Sequence, residues 1–216
     1  MHKEEIEKRI KMGRRFMHMM EEIEEYDTDQ DLGKPQPPLY KETKYETSID
    51  LLKDFSSLSK EMDFLSVINN RCSHRVYSEE NISLLQLSYL LWCAQGVKSI
   101  RGKRYATLRT VPSGGGRHEF EVYLCINHVE GLQNGYYHYL PNGHKLELIN
   151  EEEDVTNFLS LSLEKQDWAK KASVVFYLSM VAYRAEWRYG IYAHRIALVD
   201  AGYVSENIYL ACTSIG

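Results

Sequence analysis

The spacing of apolar residues changes several times along the chain, and each change predicts a new element. Apolar residues recur at roughly helical spacing through residues 1–26, among many charged ones, which predicts a charged helix. Residues 27–46 contain three prolines, which cannot continue a helix, so this stretch is predicted to be an extended arm over the surface. The pattern over residues 49–60 is ambiguous.

Two helices are predicted next. Apolar residues at positions 64, 65 and 68 predict a short helix that ends near Asn70. Ser83 and Gln86 have the spacing of a capping box, in which each side chain binds the other residue's backbone amide. A helix is therefore predicted to begin there and, after an apolar stripe, to end at Gly96.

Alternating apolar and polar residues predict a group of strands in the middle of the chain. The candidate strands span residues 121–127, 136–140 and 145–149. Asn142 and Gly143 lie between the last two, and this pair supplies the positive φ angles of a tight hairpin. We therefore expect antiparallel pairing there.

The last third of the chain completes the predicted fold. A helix is predicted from Asn150 onward, and the continuous apolar run at residues 173–181 is typical of a buried central strand. A long helix is predicted over residues 192–215. Its inner face is predicted to carry Ile196, Val199, Tyr203, Ile208 and Leu210. This order of helices and strands predicts an α+β fold.

Composition excludes several classes of protein. The chain has 26 basic and 31 acidic residues and a net charge of −5, which does not favour nucleic acid as a partner. The longest apolar run, residues 173–183, is shorter than the roughly 18 residues that a membrane span needs. Four cysteines lie far apart without a CxxC pair, and the eight histidines form no metal-binding pattern. No metal site is predicted, and a reducing cytoplasm is the expected location.

The first candidate site surrounds Ser73. Arg71 and Arg75 are four residues apart, so a helical segment would place both guanidiniums on one face. The planar fork of arginine matches phosphate, and a serine hydroxyl adds a further hydrogen bond. The alternative is a solvated surface segment, because such a spacing also arises by chance.

Two further candidate sites follow along the chain. The run from Pro112 through Gly116 contains three glycines, which let a backbone approach a ligand closely, although a flexible turn is the alternative. It lacks the Gly-Lys-Ser/Thr of a phosphate-binding P-loop. Farther on, Tyr189 could donate a proton and Arg188 could hold a negative charge, or the two could simply end an aromatic core helix.

Four stretches, taken together and in this order, resemble the nitroreductase family of flavin enzymes, with the SagB-type dehydrogenase branch as the nearest match. The resemblance covers about residues 60–216. It rests on Arg71-x-Ser73-x-Arg75-x-Tyr77, on LLWCAQGV at 90–97, on RTVPSGGGRH at 109–118, and on Arg188-Tyr189-Gly190 continuing to Asp200-Ala201-Gly202 and Asn207.

The resemblance implies a nitroreductase fold, with a central, mostly antiparallel sheet flanked by helices. It also implies an intertwined homodimer with one FMN at each end of the interface. Residues 61–216 would form the FMN-binding domain, and residues 1–60 an N-terminal helix and arm. The residues implied to bind the cofactor are Arg71, Cys72, Ser73 and Arg75, at the phosphate and ribityl end, and Pro112, Ser113, Gly114 and Gly115, which would reach the flavin of the other subunit.

The function implied is FMN-dependent oxidoreduction by ping-pong hydride transfer. NAD(P)H would be the donor and a nitroaromatic or quinone-type molecule the acceptor, with Arg188 and Tyr189 as the catalytic residues. One alternative is oxidation of a peptide azoline to an azole. The azoline-oxidising members have a Lys-Tyr pair where Arg188-Tyr189 stands, and arginine, unlike lysine, keeps its proton. Another alternative is a catalytically idle, dimeric binding module. The chain ends at Gly216, earlier than most family members, which predicts either a fragment or a shortened C-terminal segment.

Overall fold

A five-stranded antiparallel sheet lies at the centre of the structure, a computed structural model that describes residues 3–18, 25–58, 63–103 and 105–216. In sheet order the strands are β1 (Ser48–Asp50), β6 (Lys145–Glu151), β5 (Gly135–Leu140), β4 (Phe120–Ile126) and β7 (Val174–Met180). A separate hairpin pairs β2 (Val97–Arg101) with β3 (Ala106–Arg109). The predicted α+β class and antiparallel sheet are confirmed.

Six α-helices accompany the sheet in the described residues. They are α1 (Lys3–His18), α2 (Phe64–Asn70), α3 (Leu84–Gln95), α4 (Thr156–Ser162), α5 (Ala182–Tyr189) and α6 (Ala193–Ser214). The predicted capping box at the start of α3 is present, because the Gln86 amide donates to the Ser83 hydroxyl and the Gln86 side chain accepts from the Ser83 amide. None of the described helices is long and apolar enough to cross a membrane.

The main core lies between α3 and one face of the sheet. Leu87 and Leu91 of α3 pack with Leu124, Tyr137 and Leu146 of three neighbouring strands. The predicted hairpin joins β5 to β6, but its positive φ angles belong to Gly143 and His144 rather than to Asn142. At the end of the opposite face, α4 contributes Leu159 to a small second core.

Three expectations about these elements are wrong. The predicted helix from Asn150 begins only at Thr156, because β6 continues to Glu151 and pairs with β5 there. The apolar strand β7 is not central: it pairs with β4 alone among the described strands and is largely half-buried. The segment after α2 is not helical, so Arg71 and Arg75 do not share a helix face. Residues 19–24 of the predicted N-terminal helix lie outside the described residues.

The inner face predicted for α6 is also wrong in part. Val199 and Tyr203 are 52% and 45% exposed, and the buried positions are mostly small residues. These buried residues are Ala193, Ala197, Asp200, Val204 and Ala211. Small side chains let α6 approach α3 closely, whereas the larger apolar residues Leu198, Val199, Tyr203 and Tyr209 face outward.

A buried group of charges fastens the proline-containing arm to the other sheet face. The Arg184 guanidinium lies 2.5 Å from a Glu121 carboxylate oxygen and donates to the Pro38 carbonyl at 2.8 Å. Glu121 also accepts from the Lys41 amide, and its second oxygen lies 2.9 Å from His138 Nε2. The Arg184–Glu121 pair therefore holds the arm through its backbone groups at Pro38 and Lys41.

Candidate functional site

A cavity of about 760 Å³ lies where the glycine run meets the start of α6. This volume is within the range of roughly 300–1,000 Å³ usual for small-molecule sites. Its wall combines backbone, tyrosine rings and the outward apolar side chains of α6. The lining residues are Met17, Pro112, Ser113, Gly114, Tyr189, Tyr192, Arg195, Ile196, Leu198, Val199, Asp200 and Tyr203.

The glycine run is held in a fixed, unusual backbone shape. The Gly114 amide donates to both carboxylate oxygens of Asp200, at 3.0 and 3.3 Å. The His118 amide donates to the Ser113 hydroxyl at 2.9 Å. Gly115 has a φ of +55°, which only glycine adopts without strain. The run is therefore an ordered loop that brings bare backbone to the cavity, not a flexible turn.

The loop packs directly against the Arg188-Tyr189 pair at the end of α5. A Cβ added to Gly115 would lie 2.5 Å from Arg188 Nε and 2.6 Å from the Tyr189 hydroxyl. Two of the sequence-predicted groups are therefore brought together, and the absence of a side chain at Gly115 is what allows the approach. Tyr189 lines the cavity itself, so its hydroxyl is placed to contact a bound molecule.

Arg188 carries a fixed positive charge at this site. Its Nη1 donates to the Gln30 side-chain oxygen at 3.1 Å and to the Tyr105 hydroxyl. A hydrogen bond with Tyr189 raises the pKa of Arg188 above its usual value. Arg188 therefore stays protonated and can hold a negative charge, but it cannot act as a general base.

A second arginine supports the loop from behind. Arg117 is buried, and its guanidinium donates to the carbonyls of Gly115 at 3.1 Å and Tyr105 at 2.8 Å. The same guanidinium lies over the rings of Tyr105 and Trp187, at 4.9 and 5.5 Å from their centroids. Cation–π contacts of this kind stabilise a buried arginine such as Arg117, which has no carboxylate partner among the residues that the structure describes.

Two buried carboxyl groups lie beneath the loop. Burial, followed by the nearby charge of Asp200, raises the pKa of Glu119 to about 7. Burial also raises the pKa of Asp200 above its usual value. The neighbouring His118 is neutral, because burial lowers its pKa to about 3. Near neutral pH, Glu119 is therefore partly protonated, while Asp200 accepts a hydrogen bond from the Gly114 amide.

Glu119→Gln is expected to stabilise the protein above pH 7. An unfolded glutamate ionises near pH 4.5, but the folded Glu119 holds its proton to about 7, so stability falls as pH rises from 4.5 to 7. The variant should be about 2–3 kcal/mol more stable than the wild type at pH 8. Urea unfolding at pH 5 and pH 8 measures this, with the exposed Glu130→Gln as control. Parallel pH profiles for the wild type and Glu119→Gln would contradict it.

The predicted phosphate-binding residues lie away from this cavity within one chain. Arg71 stacks over the Tyr209 ring at 5.9 Å, and Cys72, Ser73 and Arg75 are exposed in the extended segment after α2. Tyr209 is nine residues from Asp200 on α6, which is about 13 Å along the helix axis. Within one chain, Arg71 therefore lies toward the far end of α6 from the glycine loop.

Sequence patterns missed three residues that build the site. Gln30 and Tyr105 both contact Arg188 and no motif marks them, while Arg117 lies in the 109–118 stretch but receives no role from the resemblance. Gln30 lies more than 150 residues before Arg188, in a stretch whose prolines predict only an arm. Among the described residues, no cluster of histidine, cysteine and carboxylate side chains could hold a metal ion.

The residues present fit an FMN cofactor. The Pro112–Gly114 segment and the apolar side chains of α6 that line the cavity suit a flat ring system, and the Arg188 guanidinium beside Tyr189 suits a ring that gains negative charge on reduction. Toward the far end of α6, Arg71 lies over the Tyr209 ring and supplies a guanidinium of the kind that a phosphate needs.

Comparisons with known proteins agree with this geometry. The family model for the nitroreductase family matches residues 68–216. "Putative nitroreductase MJ1384" of Methanocaldococcus jannaschii is 32% identical over 157 residues, which cover 73% of this chain and 76% of that protein. The "Microcin B17-processing protein McbC" of Escherichia coli is 28% identical over 169 residues, covering 71% of this chain and 60% of that protein.

A solved structure extends the likeness to three dimensions. The crystal structure of a "putative nitroreductase" from Ralstonia eutropha JMP134 matches with a TM-score of 0.62 and 27% sequence identity, covering 85% of this chain and 79% of that one. The sheet order, the glycine loop and the matched residues lead to the same assignment, and the chain belongs to the nitroreductase family of oxidoreductases.

Proposed function

We propose that this protein is an FMN-dependent oxidoreductase that works by ping-pong hydride transfer. NAD(P)H is the proposed donor, and a nitroaromatic or quinone-type molecule the proposed acceptor, in the cytoplasm. The observation that carries the proposal is the contact of Gly115 with Arg188 and Tyr189 at the edge of the 760 Å³ cavity. At this contact, the loop backbone, the positive charge of Arg188 and the phenol hydroxyl of Tyr189 lie together.

The chain's own residues have distinct tasks in this mechanism. FMN, when bound, accepts and donates the hydride. The backbone at Gly114–Gly116 would orient a bound flavin ring, and Arg188 would stabilise negative charge that develops nearby. The Tyr189 hydroxyl is positioned to donate a proton or a hydrogen bond to the acceptor. Leu198 and Val199 give the cavity an apolar wall, which would exclude water once a second copy covers it.

A homodimer is part of the proposal. Leu198, Val199, Tyr203 and Tyr209 make an exposed apolar stripe along α6, next to the cavity at one end and Arg71 at the other. Stripes of this kind mark contact surfaces. A second copy packed on this stripe would supply the Arg71 segment that one chain does not bring to its own cavity.

The double variant Arg71→Ala/Arg75→Ala is expected to weaken FMN binding at least about 100-fold while the dimer remains. Each charge-assisted hydrogen bond to a phosphate contributes about 1.5–3 kcal/mol, and about 1.4 kcal/mol is tenfold in affinity. Quenching of FMN fluorescence measures the affinity, and size-exclusion chromatography measures the dimer. Lys170→Ala/Lys171→Ala is the matched control. Equal FMN affinity in the two double variants would contradict the assigned phosphate site.

The reaction itself is tested by anaerobic stopped-flow absorbance. NADH or NADPH, mixed with the FMN-loaded protein, is expected to bleach the flavin band without an acceptor present. A quinone mixed in a second step is expected to restore the band, because ping-pong transfer separates the two halves. A flavin band unchanged by both nicotinamides would contradict the proposed donor, and failure of the acceptor to restore it would contradict the second half.

Azoline oxidation is a second candidate, favoured by the match to the microcin-processing protein McbC. Arg188 speaks against a proton abstraction at this position, because its pKa lies above even the usual arginine value. Tyr189 remains available for that task. Incubating the FMN-loaded protein with a thiazoline peptide, and measuring a mass loss of two hydrogens, would support this candidate over quinone reduction.

A further inference from the structure

Residues 26–34, which we call the N-terminal clasp, are fastened to α5 at several points. The Gln30 amide donates to the Trp187 carbonyl at 2.8 Å, and Trp187 Nε1 donates to the Lys34 carbonyl at 2.9 Å. The Tyr183 hydroxyl donates to Asp29 at 2.8 Å. The clasp therefore follows the helix that carries Arg188, rather than crossing the surface freely.

The absence of a side chain at Gly190 allows the clasp to reach the end of α5. The Tyr26 hydroxyl accepts a hydrogen bond from the Ile191 amide at 2.7 Å. A Cβ added to Gly190 would lie 2.8 Å from Tyr26 Cζ, and the φ of Gly190 is +49°. The glycine that follows Arg188-Tyr189 thus makes room for Tyr26, which seats the clasp beside the proposed catalytic pair.

Gln30 is the residue of the clasp that touches Arg188. Its amide oxygen accepts from Arg188 Nη1 at 3.1 Å, and its amide nitrogen lies 3.5 Å from the Tyr105 hydroxyl, which also binds Nη1. Both partners are neutral, so they orient the guanidinium without cancelling its charge. The nearby carboxylate of Asp31 hydrogen-bonds to Thr28 instead, at 2.7 Å.

The loop consequently faces two positive charges. Neither Arg117 nor Arg188 forms an ion pair within the described part of the chain, although the charge of Arg188 adds to the Thr28 hydrogen bonds in lowering the pKa of the nearby Asp31. Gly115 contacts both arginines. A positive charge beside a redox group favours its reduced, more negative form. The rings of Tyr105 and Trp187 enclose Arg117 and fix its position. The distance between Arg188 and the loop depends instead on the residues that hydrogen-bond to Arg188.

We propose that Gln30 is a positioning residue: through a neutral hydrogen bond it holds the Arg188 guanidinium against the glycine loop and thereby raises the reduction potential of the bound flavin. The inference rests on the proposed function for its redox consequence. The positioning itself is a property of this chain alone.

Gln30→Glu tests the charge with almost no change of shape. The new carboxylate would still accept from Arg188 but would neutralise it, so the midpoint potential of bound FMN, measured by equilibration with a reference dye, is expected to fall. FMN affinity is expected to stay within about threefold of the wild type, because the phosphate residues are elsewhere. Gln133→Glu, exposed in the loop before β5, is the matched control and should leave the potential unchanged. An unchanged potential in Gln30→Glu would overturn the inference.

Gln30→Ala tests the positioning without any flavin. Phenylglyoxal modifies accessible arginines, and peptide mass spectrometry reports the rate at each one. In the apoprotein, Gln30→Ala is expected to raise the rate at Arg188 several-fold while the rate at Arg101 stays the same. Equal rates at Arg188 in the wild type and the variant would overturn the positioning. A wild type that takes up no FMN would instead contradict the proposed function, and with it the effect on potential, while the labelling still decides the positioning.

Discussion

Arg184→Ala is expected to lower the free energy of unfolding by about 3–5 kcal/mol, the largest single-residue effect on stability that we predict. Arg184 is buried and makes an ion pair with Glu121 at 2.5 Å. It also donates to the carbonyls of Pro38 and His118, at 2.8 and 3.2 Å. One side chain therefore joins the arm, the end of the glycine loop and the sheet.

The reason for so large a loss is the charge that the variant leaves behind. Burial acts to raise the pKa of Glu121, but the hydrogen bond to His138 and the charge of Arg184 outweigh it and lower that pKa. Without Arg184, Glu121 must remain charged with one partner fewer or take up a proton. A buried carboxylate that loses its ion-pair partner is strongly destabilising, much more than an exposed pair would be.

Urea unfolding at pH 7 measures the effect, and a double variant separates its causes. Arg184→Met/Glu121→Gln removes both charges, so it should lose clearly less stability than Arg184→Ala, although it removes more of the network. The Lys145→Ala variant, which breaks an exposed pair with Asp50, should lose less than about 1 kcal/mol. A loss below about 1 kcal/mol for Arg184→Ala would contradict the role given to this ion pair.

Gly115→Ala is expected to abolish the contact between the glycine loop and Arg188-Tyr189, and with it measurable FMN binding. The new methyl group would lie 2.5–2.6 Å from Arg188 and Tyr189 atoms, so either the loop or the pair must move. In addition, a φ of +55° costs an alanine about 1–2 kcal/mol. The variant thus tests both the backbone shape and the close approach.

A matched glycine distinguishes these two effects. Gly131 has a φ of +79°, but a Cβ added there would meet nothing within 4 Å, so Gly131→Ala carries the backbone strain without the collision. Thermal unfolding should show a loss of stability in both variants, and a larger one in Gly115→Ala, which adds the collision to the strain. Only Gly115→Ala should lose FMN binding, measured by fluorescence titration. Wild-type FMN affinity in Gly115→Ala would show that the loop does not meet the flavin.

Much of the fold could be predicted because local patterns decide it. The capping box at Ser83, the hairpin around Gly143 and the alternation in β4 each specify an element within a few residues of sequence. The incorrect predictions concern where an element lies relative to the other elements. An apolar strand such as β7 can have the same composition at the edge of a sheet as at its centre. Val199 and Tyr203 of α6 face outward although their helical spacing predicts core positions.

The candidate site was predictable only where its chemistry is compact in sequence. Pro112, Ser113 and Gly114 lie in one short run, and the structure places them on the cavity with Tyr189. Gln30 and Tyr105 reach Arg188 from distant segments, and ordinary polar residues at such separations carry no local signal. Arg71 lies toward the far end of α6, and the proposed second copy of the chain would have to bring the Arg71 segment to the cavity, which no pattern within one chain specifies.

The central claim is that the cavity beside Gly114 and Tyr189 binds FMN, and an equilibrium titration tests it most directly. The purified apoprotein is titrated with FMN while fluorescence quenching and the visible absorption spectrum are recorded. We predict saturable binding of one FMN per chain, with a shifted visible band that shows a ring removed from water. No quenching and an unshifted free-flavin spectrum at saturating protein would contradict the account.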